Sequence, residues 1–212
     1  MKFKGVIFDL DGVICFTDEY HYLAWKAIAD KEGIYFDRTI NNRLRGVSRM
    51  ASLDIILERA KKTYTEEEKV ALATEKNEIY KSYLVKMSPK DVSKDVLRTL
   101  TALRKKGIKI AIGSSSKNTK LILKQIGLLD AFDEIADGND ITHSKPDPEV
   151  FLCAAKKIKE DPLDCMVVED AYAGIDAANA GHFTSVAIGD ATNYSEAMFK
   201  IKKLSDILNI VK

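Results

Sequence analysis

The sequence has little cysteine and no excess of charge. Its three cysteines, Cys15, Cys153 and Cys165, are odd in number and scattered, which fits neither a disulfide framework nor a zinc site. With 33 basic and 32 acidic residues, the formal net charge is +1, so the chain has no general attraction to nucleic acid or to an anionic membrane. Any binding of an anion must therefore be local, and a reducing cytoplasm is the simplest setting.

Long apolar runs, internal repeats and low-complexity segments are also missing. No stretch reaches the length that a transmembrane helix requires. Lys2 and Lys4 precede an apolar stretch, but Asp9 and Asp11 interrupt it and no small-residue cleavage site follows, so no signal peptide is predicted. We expect a monomeric cytoplasmic protein that binds neither nucleic acid nor membranes, and its 212 residues are enough to bury a substantial core.

The apolar pattern changes its period once along the chain. Residues 17–85 carry apolar side chains at helical spacing throughout, and Thr65 with Glu68 forms a predicted capping box for the last of these helices. From Ser88 onwards, helical patterns alternate with short apolar strands such as 108–112. Such alternation is typical of a parallel sheet covered on both faces.

We therefore predict a doubly wound, Rossmann-like α/β core made of residues 1–16 and 86–212. Residues 17–85 would form an all-helical domain inserted after the first strand. Ligands bind beyond the carboxyl ends of the strands in sheets of this kind, so the residues at those ends are the candidates for a functional site.

The first predicted strand ends in Asp9 and Asp11, followed by Gly12. A turn there can direct both carboxylates to one point, where they would hold a cation or face a phosphoryl group. An aspartate can also act as a nucleophile. Taken alone, the same residues equally describe a strand that ends in a solvated acidic turn, so the interpretation depends on the other strand ends.

Strand 108–112 is followed by small polar residues at the start of a helix, an arrangement that binds anions or simply caps the helix. These residues are Ser114, Ser115, Ser116, Lys117 and Asn118. After the next strand, Lys145 precedes the rigid Pro146. It would hold a phosphate as a point charge, unless it is an ordinary solvated lysine.

The strand 165–168 ends in two adjacent acids, Glu169 and Asp170. Their carboxylates are the hard oxygen ligands that Mg²⁺ takes together with other carboxylates, water and a substrate phosphate. Asp170 also suits the N-terminus of the following helix, and that role does not exclude a metal.

Asp-x-Asp, Ser, Lys and Glu-Asp thus follow four strand ends in that order. This set resembles the four motifs of the haloacid dehalogenase superfamily of phosphotransferases, and the resemblance covers the whole chain. It implies that Asp9 attacks phosphorus to form an aspartyl-phosphate and that Asp11 acts as general acid and base. Within the superfamily, the second carboxylate distinguishes phosphotransfer from dehalogenation.

The resemblance also implies a cofactor. Mg²⁺ would be held by Asp9, the backbone carbonyl of Asp11 and Asp170, with Glu169 as a further ligand or an outer-shell partner. Ser114 and Lys145 would bind the oxygens of the transferring phosphoryl group.

The inserted helices correspond to the cap of this superfamily, a lid that excludes water and selects the substrate. In this segment, two arginines flank a turn that contains a glycine. Such a turn can bind an anion, or it can be an ordinary solvated basic turn. The segment resembles the substrate loop of the β-phosphoglucomutase-like subfamily, and this implies a set of substrate-binding cap residues. They are His21, Trp25, Arg45, Gly46, Val47, Ser48, Arg49, Ser52 and Lys76.

The resemblance implies that Arg49 and the core residues Ser116, Lys117 and Asn118 hold a second phosphate, and that Ser115 is a further substrate-binding residue. Two phosphate sites imply a mutase that converts β-D-glucose 1-phosphate into glucose 6-phosphate through a bound bisphosphate. A Mg²⁺-dependent sugar-phosphate phosphatase of the same subfamily is the alternative, with water as the acceptor. A non-catalytic phosphosugar-binding protein is the third alternative. Such a protein would be expected to lack Asp9 or Asp11, but both are present.

Overall fold

A computed structural model describes residues 3–44 and 47–211 of the protein. The chain forms two compact units, Met1–Phe16 together with Met87–Lys212, and Thr17–Lys86. The smaller unit is a continuous segment that follows the first strand of the larger one.

The larger unit contains a six-stranded sheet in the order β3-β2-β1-β4-β5-β6, with every neighbouring pair parallel. The strands are β1 Gly5–Phe8, β2 Lys109–Gly113, β3 Glu134–Ala136, β4 Cys165–Glu169, β5 Thr184–Ala187 and β6 Phe199–Lys200. The predicted doubly wound α/β fold is confirmed. Val6, Ile7 and Phe8 of the central β1 are fully buried, which explains why this strand is apolar without alternation.

The register of the central strands aligns their carboxyl ends. Phe8 of β1 pairs with Ile112 of β2 on one side and with Val168 of β4 on the other. Asp9, Gly113 and Glu169 therefore follow at the same level of the sheet. The sheet order brings three of the four predicted motifs to neighbouring positions at one edge.

Four α-helices accompany the strands, and four short 3₁₀ helices complete the described part of this unit. The α-helices are α5 Lys94–Lys105, α6 Thr119–Gln125, α7 Glu149–Ile158 and α8 Tyr172–Ala180, and the 3₁₀ helices are Pro89–Asp91, Pro162–Asp164, Gly189–Asn193 and Leu204–Asn209. Apolar residues of α7 and α8 pack with β1, β2 and β4 in one cluster, where Phe151 and Phe183 meet edge to face at 6.3 Å.

The smaller unit is all-helical over its described residues. Its helices are α1 Asp18–Lys31, α2 Arg38–Asn42, α3 Arg49–Leu57 and α4 Glu66–Leu84, and Trp25, Leu53 and Ile56 are buried in its core. The predicted capping box is confirmed: Thr65 Oγ1 accepts the N–H of Glu68 at 3.2 Å, and Glu68 Oε2 accepts the N–H of Thr65 at 2.8 Å.

Some element boundaries differ from the sequence prediction. Within the helical pattern of residues 17–85, helix α2 ends at Asn42, because the N–H groups of Arg43 and Leu44 donate to the carbonyls three residues earlier. The last helix, Leu204–Asn209, is a 3₁₀ helix and not an α-helix, and the two-residue strand β6 was not predicted. No described helix has the length and apolar character needed to cross a membrane.

Candidate active site

A tight turn at the end of β1 places two aspartates at the edge of the sheet. The N–H of Asp9 donates to the Val168 carbonyl of β4 at 3.0 Å, so the sheet fixes its position. Gly12 adopts a φ of 81°, in the left-handed region that glycine enters without strain. Asp9 is buried whereas Asp11 is partly exposed. Asp9 therefore suits a desolvated reaction centre, and Asp11 can exchange a proton.

A buried lysine joins two of the strand ends. Lys145 Nζ donates to Asp9 Oδ1 at 2.6 Å and to Glu169 Oε1 at 2.7 Å. It also lies 4.6 Å from the ring centroid of Phe151 on α7. All three charged residues are buried, and a buried ammonium requires such partners because desolvation of a charge is costly. Lys145 is thus a fixed charge of the site and not a solvated surface lysine.

Glu169 is held on both sides of its carboxylate. Its Oε2 accepts the N–H of Ala171 at 2.9 Å, while Lys145 donates to Oε1. Gly174 of α8 lies so close that a Cβ there would be 2.1 Å from Glu169 Cδ. Glu169 therefore orients Lys145, and it can contact a metal only through the lone pairs that these two donors leave.

Asp9, Glu169 and Asp170 form a carboxylate group that fits a metal ion. One oxygen from each lies within 4.8 Å of the others, and all three side chains are buried. Hard oxygen donors of this kind are the ligands of Mg²⁺. Because Asp11 also lies near Asp9, the site holds more carboxyl groups than a single lysine can neutralise. A divalent cation would offset this negative charge.

Burial acts differently on the two ends of the ion pair. Burial raises the pKa of Asp9, and the charges of Glu169 and Asp11 raise it further, whereas Lys145 lowers it. The net result is a pKa of about 7. Burial lowers the pKa of Lys145, but the charges of Asp9 and Glu169 outweigh it, so the net change is upward and the lysine stays protonated. Asp9 thus depends on positive charge beside it to remain in its ionised, nucleophilic form.

The loop after β2 is shaped by its own serines. Ser114 Oγ accepts the N–H of Ser116 at 3.2 Å, and Ser116 Oγ accepts the N–H of Asn118 at 3.2 Å. The N–H of Ser114 donates to the Ala136 carbonyl of β3. These side-chain bonds compete with helical ones, which explains why α6 begins only at Thr119, after the serine loop.

Ser115 has a buried hydroxyl whose Oγ finds no hydrogen-bond partner among the described residues. A buried polar atom in this state costs free energy until a ligand or a water satisfies it. The adjacent Lys117 is exposed and Asn118 is buried. The loop therefore offers both an unsatisfied hydroxyl and a solvent-facing cation.

In the smaller unit, a buried lysine lies against a histidine and two aromatic rings. Lys76 Nζ is 2.8 Å from His21 Nδ1, and it lies 4.8 and 4.6 Å from the ring centroids of Trp25 and Tyr80. Because an ammonium only donates, Nδ1 accepts and the neutral His21 ring carries its proton on Nε2. Burial, with the charges of Lys76 and Arg49, lowers the pKa of His21 well below its ordinary value, so the ring stays neutral.

Arg49 lies in the first turn of α3, where its Nη2 donates to Asn77 Oδ1 of α4 at 2.9 Å. Ser48 caps the same helix by accepting the N–H of Ala51 at 3.2 Å. Burial lowers the pKa of Arg49, although a guanidinium remains charged. This arginine is therefore held by a neighbouring helix rather than free in solvent.

Four other residues of this segment were predicted to bind the substrate. Val47 is half-buried and Ser52 is buried. Arg45 and Gly46 lie outside the described residues.

The predicted residues form separate groups within the two units. In the larger unit, the acids of β1 and β4 meet Lys145, and the serine loop follows the adjacent β2. In the smaller unit, Lys76 joins His21 and Trp25. The contribution of Phe151 was not predicted, since nothing in its helical apolar pattern distinguishes it from its neighbours. The close approach of Gly174 to Glu169 was also missed.

Comparison with protein families gives a match over residues 3–182 to the model of the haloacid dehalogenase-like hydrolases. The chain belongs to this family. In this haloacid dehalogenase-like hydrolase, the residues predicted after β1, β2 and β4 lie at the carboxyl ends of those strands, and Lys145 lies in the loop between β3 and α7.

Individual relatives cover nearly the whole chain. It is 41% identical over 206 residues to a Bacillus subtilis protein named β-phosphoglucomutase, covering 96% of this chain and 91% of the relative. A crystal structure of β-phosphoglucomutase from Clostridium difficile matches with a TM-score of 0.91 at 40% identity, covering 97% and 93% of the two chains. A phosphorylated carbohydrates phosphatase of Thermotoga maritima is 28% identical, covering 99% of this haloacid dehalogenase-like hydrolase and 98% of the relative.

Proposed function

We propose that this haloacid dehalogenase-like hydrolase is a Mg²⁺-dependent mutase that converts β-D-glucose 1-phosphate into glucose 6-phosphate. The observation that carries the proposal is the likeness, over more than nine-tenths of both chains and at 40% identity or above, to two β-phosphoglucomutases. The buried ion pairs of Asp9, Lys145 and Glu169 supply the matching chemistry. Its partner is a small phosphosugar.

Asp9 is the nucleophile in this proposal, and Asp11 handles the proton. The phosphorylated Asp9 gives its phosphoryl group to the 6-hydroxyl of the substrate, whose proton passes to Asp11 as the aspartyl–phosphorus bond breaks. The product of this half is the bisphosphate. An Asp9 oxygen then attacks the phosphorus on O1, the P–O1 bond breaks, and Asp11 returns the proton to O1.

Lys145 and Ser114 bind the phosphoryl oxygens during both transfers. The Lys145 ammonium has three N–H donors, and Asp9 and Glu169 accept two of them. The third is suited to an oxygen of the transferring group. A fixed ammonium that needs no reorganisation stabilises the charge of the transition state more than a mobile one would.

The carboxylate group of the larger unit supports a metal site. Asp9, Asp170 and the backbone carbonyl of Asp11 would hold Mg²⁺, with Glu169 as a ligand or an outer-shell partner. When bound, the ion supplies the positive charge that screens Asp9 from the incoming phosphoryl group.

Residues 17–85 are proposed to act as a cap domain that selects the substrate, while residues 1–16 and 86–212 carry the chemistry. Arg49 would bind the phosphate that is not reacting, because its partly buried guanidinium presents paired donors to phosphate oxygens. His21, Trp25 and Lys76 are other substrate-binding residues proposed for this unit. In the larger unit, residues 116–118 would bind a non-reacting phosphate. A cytoplasmic location and a monomeric state stay predictions.

The test is an assay of purified protein with Mg²⁺, β-D-glucose 1-phosphate and a catalytic amount of the hexose bisphosphate. We expect glucose 6-phosphate to form with little release of inorganic phosphate, and chelation of Mg²⁺ to stop the reaction. Asp9→Asn should form no phosphoenzyme. Release of phosphate without isomerised product would contradict the mutase proposal.

A sugar-phosphate phosphatase is the second candidate, and the full-length similarity to the Thermotoga phosphatase favours it. In that reaction, water rather than a sugar hydroxyl receives the phosphoryl group from Asp9. The same assay separates the two activities because inorganic phosphate would be the main product. A non-catalytic phosphosugar-binding protein would incorporate no phosphate at Asp9 at all.

A further inference from the structure

A turn after β3, residues 137–140, is joined to the loop that follows β2. The N–H of Gly138 donates to the Ser116 carbonyl at 3.1 Å, and Asn139 Nδ2 donates to the Lys117 carbonyl at 3.2 Å. Two consecutive carbonyls of the loop are therefore bound by two consecutive residues of the turn. This pairing lies entirely within the larger unit.

The turn is itself fixed by its acids. Asp137 Oδ1 accepts from Asn139 N at 2.8 Å and from Asn139 Nδ2 at 3.0 Å, while the N–H of Asp137 donates to Asp140 Oδ2 at 2.9 Å. Asp140 also pairs with Lys157 of α7 at 2.9 Å, and Lys157 Nζ donates to the Ile135 carbonyl at 2.7 Å. Strand β3 and helix α7 thus hold the turn in place.

Gly138 is required by a close approach of the two backbones. A Cβ at this position would be 2.4 Å from the Ser115 carbonyl oxygen and 3.0 Å from the Lys117 nitrogen. Both are backbone atoms, so a side chain at residue 138 would displace the loop itself. The turn therefore sets the position of the loop by contact as well as by hydrogen bonds.

We infer that Gly138 and Asn139 are positioning residues for binding of the non-reacting phosphate, an inference that rests on the proposed function. They fix the carbonyls of Ser116 and Lys117 and thereby the loop that is proposed to bind this phosphate. A loop held in advance binds an anion without an ordering cost. Loosening it weakens the binding of a bisphosphate but leaves a donor with a single phosphate unaffected, since that donor needs only Asp9 and its neighbours.

Asn139→Ala tests this inference with two readouts. Asn139 is exposed, so the variant should fold, and it loses one hydrogen bond to the loop. We expect the hexose bisphosphate concentration for half-maximal mutase activity to rise about fivefold, as expected for one neutral hydrogen bond. The rate of phosphoenzyme formation from acetyl phosphate should stay within about twofold of wild type.

Further variants separate positioning from general damage. Asn139→Asp has nearly the same shape but cannot donate to the Lys117 carbonyl, and it places a carboxylate oxygen beside Asp137 Oδ1. It should therefore weaken bisphosphate binding at least as much as Asn139→Ala. Gly138→Ala should have a larger effect on the bisphosphate requirement, because it displaces the loop. Asn209→Ala, at another exposed asparagine of the same unit, should match wild type in both readouts.

The outcomes distinguish the inference from the proposed function. If wild-type protein isomerises the sugar phosphate but Asn139→Ala leaves the bisphosphate requirement unchanged, the inference alone is wrong. An equal loss in both readouts would likewise assign Asn139 a merely structural role and overturn it. If wild-type protein forms no isomerised product, the proposed function fails, and the inference fails with it.

Discussion

Asp170 occupies its position in the carboxylate group because the neighbouring Gly12 has no side chain. A Cβ at Gly12 would lie 2.1 Å from Asp170 Oδ2, and the glycine also has a φ of 81°. We predict that Gly12→Ala displaces this carboxylate, raising the Mg²⁺ concentration for half-maximal activity by roughly tenfold or more, as is typical when a metal ligand loses its support. A Mg²⁺ titration of phosphoenzyme formation measures the effect.

Gly107→Ala is the matched control for this prediction. Gly107 has a similar φ of 72° in the same unit, but a Cβ there would meet nothing within 4 Å. Both variants should lose about 1 kcal/mol of unfolding free energy or somewhat more from backbone strain. If Gly107→Ala weakened the Mg²⁺ response as much as Gly12→Ala, strain rather than contact with Asp170 would be the cause.

His21 gives a pH-dependent prediction. Its pKa in the folded protein lies well below the ordinary value of 6.5, because of burial and the charges of Lys76 and Arg49. The unfolded chain gains a proton here as the pH falls through about 6.5, while the folded protein does not. Neutral His21 thus contributes to stability fully above this pH, and the contribution is lost as the solution is acidified.

We therefore expect the stability difference between wild type and His21→Gln to shrink between about pH 7.5 and about pH 5.5. Chemical unfolding followed by fluorescence measures it, since the single tryptophan of the chain, Trp25, lies in the core of the same unit. His182→Gln, at an exposed position of the larger unit, controls for the loss of a histidine. A difference that stays constant with pH would contradict the burial argument.

Among the helices, α4 begins with reciprocal hydrogen bonds between Thr65 and Glu68. Thr65→Ala removes the hydroxyl that accepts the Glu68 N–H and should lower the unfolding free energy of the smaller unit by about 1 kcal/mol. Denaturant unfolding followed by Trp25 fluorescence checks this value. Thr63→Ala, an exposed threonine before the helix, should cost at most about 0.5 kcal/mol; an equal cost would mean that the cap does not stabilise α4.

Elements that depend on local patterns could be predicted from the sequence. The alternation of apolar strands and amphipathic helices indicated the parallel sheet, and the Thr65 capping box marked the start of α4 correctly. Both predictions could be made from the sequence because each signal acts over a few neighbouring residues. The strand β6, Phe199–Lys200, has two exposed residues and no apolar pattern, so only its pairing with β5 defines it.

The candidate site, too, has features that the sequence predicts and features that it does not. Strand-end motifs were visible because the register of a parallel sheet brings successive strand ends to one edge. The support of those motifs was not visible, since it depends on contacts between distant residues. Phe151 beside Lys145, and Asn139 beside the Lys117 carbonyl, belong to segments whose own sequence gives no sign of these contacts.

For the whole molecule, the two units divide the proposed work between them. Phosphoryl transfer to Asp9 needs the larger unit. Turnover through a bisphosphate also requires that the second phosphate be bound, and we assign this binding in part to Arg49. Arg49 is partly buried and fixed by Asn77, so it can bind a phosphate without being ordered first.

We predict that Arg49→Ala lowers the kcat/KM of the mutase reaction by roughly 10- to 100-fold, the range expected for a hydrogen bond to a charged group. Phosphoenzyme formation from acetyl phosphate and its slow hydrolysis should remain near wild type, because neither needs a second phosphate. Arg38→Ala removes an exposed arginine of the same unit that pairs with Glu19 and should change neither rate. An equal fall of both activities in Arg49→Ala would place Arg49 in the general stability of its unit and not in substrate binding.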